Sequence, residues 1–257
     1  MDSNPLLEIR PSERMAYRAS LELRDQDIVF VGIGLPNLAC NLALALHAPH
    51  LMMIYESGAV GALPERLPVS IGDPALVTNS LAIVSQADIF QCFLQKGYIQ
   101  VGFLGGAQID PYGCLNTTVI GDYRAPKVRL PGSGGACEIA THAKRLLIVM
   151  RLSKKAFVPQ CDFVTSPGHR FKGKTRQELG LSTQGPELVI TDKGVFNFND
   201  AGHMQLCEIY PGSTLEDIRA NCGFEVLLAP QLKEACSPGD NAINLLRKKL
   251  DPDNLYL

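Results

Sequence analysis

A single acid, Glu56, stands in the stretch Leu51–Gly61 (LMMIYESGAVG), after an apolar run of strand length and before Ser57 and Gly58. A carboxylate delivered by a buried strand into a glycine turn sits at the sheet's edge, and small neighbours leave room for a ligand. Such a group can serve as a nucleophile or as a general acid or base. It can equally be a solvated acid that caps the next segment. These residues alone leave both readings open.

Three glycine-rich loops, each close to a predicted strand, are the other candidates. Gly32-Ile33-Gly34-Leu35-Pro36-Asn37 leads into a helix, and the backbone amides at that helix start can hold an anion or oxyanion. Gly105-Gly106-Ala107 ends a strand, where paired glycines let the backbone pass close to a ligand. Pro131-Gly132-Ser133-Gly134-Gly135-Ala136 is the densest cluster and again precedes a helix. Its amides could stabilise a negative oxygen, or the segment could be a plain tight connection. It is not a phosphate-binding GxxxxGK[ST] loop, since no GK[ST] follows, and not a GxSxG elbow, since Pro131 replaces the first glycine. Gly32 and Gly34, with Glu56 some 22 residues on, imitate a dinucleotide fingerprint. Asn37 at the third glycine position and Pro36, which removes an amide, argue against nicotinamide or flavin binding.

The elements that must position these groups follow in order. Ser12 is predicted to cap a helix over residues 13–24, with Met15, Ala19 and Leu23 on one face. The run IVFV from Ile28 reads as a buried strand, the Leu- and Ala-rich segment from Pro36 or Asn37 to His47 as a helix, and Leu51–Tyr55 as the next strand. Together they form a βαβ unit, parallel and right-handed. Leu67–Pro74 is an irregular loop, and Asp88–Leu94 looks helical. Ile99–Leu104, Leu115–Ile120 and Leu146–Met150 read as strands, and Ala136–Lys144 as a helix. Residues 151–185 form a polar, basic excursion (Lys154, Lys155, Arg170, Lys172, Lys174, Arg176), read as a solvated face or, less simply, a phosphate-binding surface. Leu188–Thr191 and Val195–Phe198 flank Asp192-Lys193-Gly194 as a hairpin. Thr214 with Asp217 resembles a capping box for a helix to Asn221, ended by Gly223. Asp240 caps the final helix, whose Arg247, Lys248 and Lys249 suit its C-terminal end. No repeat or linker interrupts the chain, so residues 1–257 are read as one α/β domain.

Composition narrows the class. The chain has 257 residues, 46% hydrophobic and 19% charged, with net charge −2. Nothing here provides a basic surface for nucleic acid, and no apolar run reaches the roughly 18 residues of a membrane span. The N-terminal stretch MDSNPLLEIRPSER lacks the apolar core of a secretory signal. Eight cysteines without CxxC pairs read as reduced thiols of a cytoplasmic protein, and the five histidines show no zinc spacing. Cys114 and Cys137 border two of the glycine loops and read as packed residues rather than a second nucleophile. His142 and His169 have no partner visible in the sequence.

Taken as an ordered set, eight segments resemble the B (β) subunit of glutaconate-CoA-transferase-type enzymes, in the family I CoA-transferases: VGIGLP at 31–36, ESG at 56–58, SIGD at 70–73, GGAQIDPYG at 105–113, TTVIGDY at 117–123, PGSGGA at 131–136, VTSPG at 164–168 and LVITDKGVF at 188–196. They span nearly the whole chain. The resemblance implies a mostly parallel sheet with flanking helices, of the NagB/RpiA-like type. It implies transfer of CoA between an acyl-CoA and a carboxylic, most readily a dicarboxylic, acid, with Glu56 as the nucleophile that becomes a glutamyl-CoA thioester. It places oxyanion donors near Gly134 and Gly135, with Gly32 and Gly34 as further candidates. Ser57, Gly58, Gly105, Gly106 and Ala107 would line the acyl-CoA side. No metal and no cofactor are implied, CoA being a substrate. The family pairs this half with an A (α) subunit, so a hetero-tetramer or larger assembly is expected, inactive without that partner. Decarboxylases and ring-opening hydrolases share the scaffold and are the alternative; the glutamate favours the transferase.

Overall fold

The computed structural model describes residues 8–257; the expectation about the first seven residues lies outside it. Ten strands form one sheet. They are β1 (Ile28–Phe30), β2 (Met52–Ile54), β3 (Ala59–Val60), β4 (Ala82–Ile83), β5 (Val101–Leu104), β6 (Arg145–Val149), β7 (Pro186–Ile190), β8 (Gly194–Phe198), β9 (Met204–Ile209) and β10 (Leu227–Glu234). Their order across the sheet is β10-β9-β8-β7-β6-β5-β1-β2-β3-β4. The central five, β7-β6-β5-β1-β2, are parallel. Antiparallel hairpins β7–β8 and β2–β3 extend this block on either side.

The strands are short and apolar because both faces of the parallel block are covered. Phe30, Ile54, Leu104 and Ile148 belong to one apolar layer, and Val29, Met53, Phe103 and Leu147 to the other, so neighbouring residues along each strand alternate between two cores. Helices α1 (Pro11–Ser20) and α2 (Leu35–Leu46) pack together on the second layer. A short helix, α3 (Gln86–Asp88), continues into a π turn over Ile89–Leu94, and with α4 (Ala136–His142) it covers the first. Helix α5 spans Leu215–Asn221, and α6 (Asp240–Leu245) runs into a second π turn, Leu246–Leu250. No helix among the described residues is long and apolar enough to cross a membrane.

The predicted βαβ unit is present: β1 and β2 pair in parallel, with Ile28 opposite Met52 and Phe30 opposite Ile54. Helix α1 begins earlier than expected. Pro11, whose fixed φ suits a first helical turn, takes the place ahead of Ser12; Arg10 is extended before it, and the Glu13 carboxylate accepts the Arg10 amide at 2.8 Å. Ser12 therefore lies inside the helix and does not cap it. Asp240 likewise is the first residue of α6 rather than its cap, a place held by extended Gly239. Thr214 does cap α5, accepting the Asp217 amide at 3.1 Å, but the Asp217 carboxylate turns to Lys193 Nζ at 2.6 Å instead of closing a box. Leu115–Ile120 is two short pieces, Leu115–Asn116 and Val119–Gly121, in two separate hairpins. Strands β9 and β10 have no counterpart among the expected elements.

Candidate active site

The carboxyl ends of β1, β2 and β5 lie side by side and carry three of the four candidate segments. From β1 the chain passes through α2 to β2 on one side, while β5 pairs with β1 on the other. This is a reversal of strand order, where the loops diverge and open α/β sheets form their crevice. Gly32–Gly34 and Gly105–Ala107 flank that reversal, and Glu56 follows the neighbouring strand.

Glu56 occupies a tight turn between β2 and β3. The Gly58 amide donates to the Tyr55 carbonyl at 3.0 Å, and the Tyr55 amide to the Ala59 carbonyl at 2.9 Å. Gly58 has φ +109°, and a Cβ there would lie 2.0 Å from the Val84 carbonyl oxygen. Only glycine fits, so Gly58 first serves to build the turn. Beneath it Tyr55 is fully buried, and its hydroxyl accepts from Asn37 Nδ2 at 2.6 Å. Asn37 in turn accepts from Asn41 Nδ2 at 3.0 Å. This buried pair ties the base of the Glu56 turn to the start of α2.

Glu56 itself is half-buried, and Ser57 is exposed. The Glu56 carboxylate accepts from Gln86 Nε2 at 3.2 Å. No backbone amide among the described residues donates to it, so it caps no segment. Its other neighbours are the expected glycines. A Cβ on Gly135 would sit 3.6 Å from Glu56 Cδ, and one on Gly134 would sit 4.0 Å from Oε1. The loop that carries them is fastened from both ends: Gly132 N–H donates to Thr117 O at 2.9 Å and Ala136 N–H to Ser133 O at 2.8 Å. The amides of Gly134 and Gly135 donate to no acceptor among the described residues. Glu56, Gly134 and Gly135 are thus brought together.

At the other candidates the surroundings differ. A Cβ at Gly32 or Gly34 would meet nothing within 4 Å, and the Gly34 backbone hydrogen-bonds the Tyr256 hydroxyl. Around Gly105 a Cβ would meet only the Val149 carbonyl, at 3.2 Å, and Gly106 packs against Leu115 and the Asn116 carbonyl. Ala107 N–H donates to Asn116 O at 2.9 Å. The Asp73 of SIGD organises the loop beside this crevice: its carboxylate takes both Arg66 guanidinium nitrogens, at 2.7 and 2.8 Å, and the amides of Val69 and Ala75. Tyr256 closes the group by donating to the Pro68 carbonyl.

Cys114 is packed as expected, while several other small expectations change. Cys114 is buried with its Sγ between Arg170 O and Gly168 N–H, and burial pushes its thiol up to about 12. Cys137 is exposed on the first turn of α4, and partial burial moves its thiol upward. Both histidines have partners: His142 Nδ1 meets the Glu138 carboxylate at 3.1 Å, and His169 Nε2 meets Pro186 O at 2.7 Å. Burial holds His169 below the usual imidazole range. Arg176 is no solvated cation. It is buried, and its guanidinium donates to the carbonyls of Ala140, Pro167, Gly168 and Thr183, which fastens the 164–185 segment to the end of α4.

Asn37, Tyr55, Gln86 and Phe90 are parts of this site that sequence reasoning did not single out. Asn37 drew attention only as a missing glycine, although a polar residue at the head of an apolar helix is itself a signal of a buried partner.

The coenzyme A transferase family matches residues 12–221. The chain is 44% identical over 238 residues to the B chain of the 3-oxoadipate CoA-transferase of Pseudomonas knackmussii, covering 92% of this chain and 91% of the relative. It is 36% identical over 251 residues to the B chain of the glutaconate CoA-transferase of Acidaminococcus fermentans, covering 95% and 94%. The crystal structure of that glutaconate coenzyme A-transferase superposes with a TM-score of 0.90 over 97% of both chains. The decarboxylase AibA/AibB shares the fold, with a TM-score of 0.84 at 23% identity over 97% and 98% of the two chains. The sheet order, the Glu56 turn and these likenesses together make the chain a member of the coenzyme A transferase family, of the B-subunit type.

Proposed function

We propose that this chain is the B subunit of a CoA-transferase that moves CoA from an acyl-CoA to a dicarboxylic acid through a covalent intermediate on Glu56. The observation that carries the reading is the carboxylate of Glu56, held out on a turn against Gly134 and Gly135 with a single side-chain donor. The 3-oxoadipate and glutaconate named by the two relatives are both dicarboxylates, which supports that acceptor class.

The chemistry follows from the group. A Glu56 oxygen attacks the thioester carbonyl, the C–S bond breaks, and CoA thiolate leaves an acyl-glutamyl anhydride. The thiolate then attacks Glu56 Cδ, releases the first acid as its carboxylate, and leaves a glutamyl-CoA thioester. The acceptor carboxylate repeats both steps in reverse and restores Glu56. No water, redox change or cofactor beyond CoA enters the balance, and ping-pong kinetics are expected. Each addition puts charge on a carbonyl oxygen, for which the amides of Gly134 and Gly135 are the donors at hand. Gly32 and Gly34, at the crevice, serve as further donors. Ser57 and the Gly105–Ala107 loop line the acyl-CoA side.

An A subunit completes the site. Beside the Glu56 turn, Leu81 and Ile83 are exposed at the open edge strand β4, Leu81 to 73%, and Leu63, Val69, Ile71 and Val77 are exposed in the segment that leads to it. We place the A subunit on this edge, in a cytoplasmic hetero-oligomer. The chain alone is expected to be inactive.

The test is mass spectrometry of the complex with its A partner after incubation with a panel of acyl-CoAs, trapped with hydroxylamine or borohydride. Modification at Glu56 is the expected result. Substrate consumed with release of CO2 or free acid, and no adduct, would reassign the chain to a decarboxylase or hydrolase on the same fold.

A further inference from the structure

We propose that Gln86 works on Glu56 throughout the reaction, and that α3 sets the spacing between Glu56 and the Gly134–Gly135 loop. The inference rests on the covalent reading of Glu56 given above. Two side chains four residues apart carry it. Gln86 Nε2 donates to Glu56 Oε1 at 3.2 Å. Phe90 lies against Gly135, where an added Cβ would be 2.6 Å from its Cζ and 2.8 Å from Cε1. Positions i and i+4 share one side of a helix. One side of this segment therefore holds the carboxylate with one residue and the glycine loop with the other.

The segment is built to keep that spacing. Ser85 Oγ accepts the Asp88 amide at 3.1 Å, and the Asp88 carboxylate accepts the Ser85 amide at 3.2 Å, a closed capping box. Val84, just before it, donates its amide to Gly58 O at 3.0 Å, so the helix starts from the Glu56 turn itself. Ile89 and Leu94 are fully buried, and the Phe90 ring lies 5.5 Å from that of Phe30, the last residue of β1. The π turn at Ile89–Leu94 adds a residue to the helical repeat where Phe90 meets Gly135, a placement common next to functional groups.

Gln86 has two things to do. In the free enzyme its N–H holds Oε1 and leaves Oε2 to attack the thioester. In the second step the thiolate adds to Cδ and the electron pair of the C=O bond moves onto the carbonyl oxygen. If that oxygen is Oε1, the same N–H receives the developing charge before the acyl carboxylate leaves. Gln86 is exposed and occupies the first helical position, so its substitution leaves the fold intact.

The experiment compares wild type, Q86A and Q86E in the complex with the A subunit. Formation of the Glu56 adduct from glutaryl-CoA and from 3-oxoadipyl-CoA is followed by rapid quench, with acyl-CoA affinity and thermal midpoint measured alongside. Loss of the donor is expected to slow adduct formation about tenfold or more in Q86A, with affinity and midpoint unchanged. Q86E keeps the shape but sets a second carboxylate beside Glu56, so it should be at least as slow as Q86A. A purely packing role gives the opposite order, with Q86E close to wild type, and that result overturns the inference while leaving the covalent reading in place. If wild type forms no adduct at Glu56 with either thioester, the covalent reading fails and this inference with it.

Discussion

Asn37 Nδ2 donates to the Tyr55 hydroxyl at 2.6 Å, and both side chains are fully buried. One residue stands at the head of α2, just after Gly32–Gly34; the other is the last residue before Glu56. The bond therefore links two loops that leave adjacent strands.

Replacing Asn37 by Ala strips the buried Tyr55 hydroxyl of its donor and leaves it only Met53 Sδ at 3.5 Å, which costs about 1–3 kcal/mol. In a chain of this size that lowers the thermal midpoint by about 2–4 °C per kcal/mol. The double variant N37L/Y55F removes both polar groups together and should lie closer to wild type than either single change. Thermal denaturation of wild type, N37L, Y55F and N37L/Y55F checks this. Single and double effects that simply add would show that the two side chains are not coupled.

Two glycines near Glu56 should respond differently to alanine. At Gly58 the positive φ and the Val84 carbonyl at 2.0 Å leave no room, and G58A is expected to fail to fold. Gly135 has ordinary helical φ of −79°, so only the Phe90 ring opposes a Cβ. G135A is expected to fold and lose transferase activity, and F90L in the same chain to restore part of it. Soluble yield and adduct formation separate the two cases; a G135A protein with full activity would show that this spacing is not critical.

The strand, turn and helix starts around this site were legible because local rules fix them, whereas the pairing of Glu56 with Gly134 and Gly135 came from the family resemblance. An apolar run followed by Glu56-Ser57-Gly58 reads as strand and turn from the residues themselves, and glycine loops before Leu35 and Ala136 announce helix starts. What could not be read were pairings across the chain. Gln86 and Glu56 are 30 residues apart, and Asn37 and Tyr55 are 18 apart, with no periodic signal between them. Strand β10, LLAPQLKE, lies at the open edge of the sheet with mostly exposed side chains and a proline, so it lacks the apolar alternation that marks a strand. The helix starts at Ser12 and Asp240 were each misplaced by a residue or two, because Pro11 suits the first helical turn itself and extended Gly239 leads into the other.

Asp73 gives a pH signature. The Arg66 guanidinium, with the amides of Val69 and Ala75, holds its carboxyl well below the usual carboxylate range. A carboxylate with a depressed folded value adds stability above its unfolded value, about 4, and loses it as pH falls toward the folded one. D73N should therefore melt below wild type at pH 7, and the gap should narrow steadily below about pH 4. A constant gap across that range would mean the loop does not depend on the charge.

The thiols should divide by burial. Cys92 and Cys236 are exposed, Cys137 is exposed with its thiol moved upward by partial burial, and Cys114 is buried and raised to about 12 by burial. Iodoacetamide at pH 8 is expected to label Cys92 and Cys236 and to spare Cys114, since the thiolate is the reacting form. C114A should still form the Glu56 adduct. Loss of the adduct in a folded C114A protein would restore Cys114 as a participant in the chemistry.

The edge at β4 yields the prediction that bears on assembly. Leu81 and Ile83 are 73% and 64% exposed, and a lysine at either position is already in water in the lone chain. L81K and I83K should therefore leave its thermal midpoint unchanged. An exposed apolar edge strand invites association, and a charge there opposes it. If the A subunit covers this edge, each lysine would have to be desolvated on binding, and assembly should weaken about tenfold or more. Titration of the A chain against wild type and both variants measures it. Two variants that assemble as tightly as wild type would move the A subunit to another face, and the Glu56 turn would then need its second wall from elsewhere.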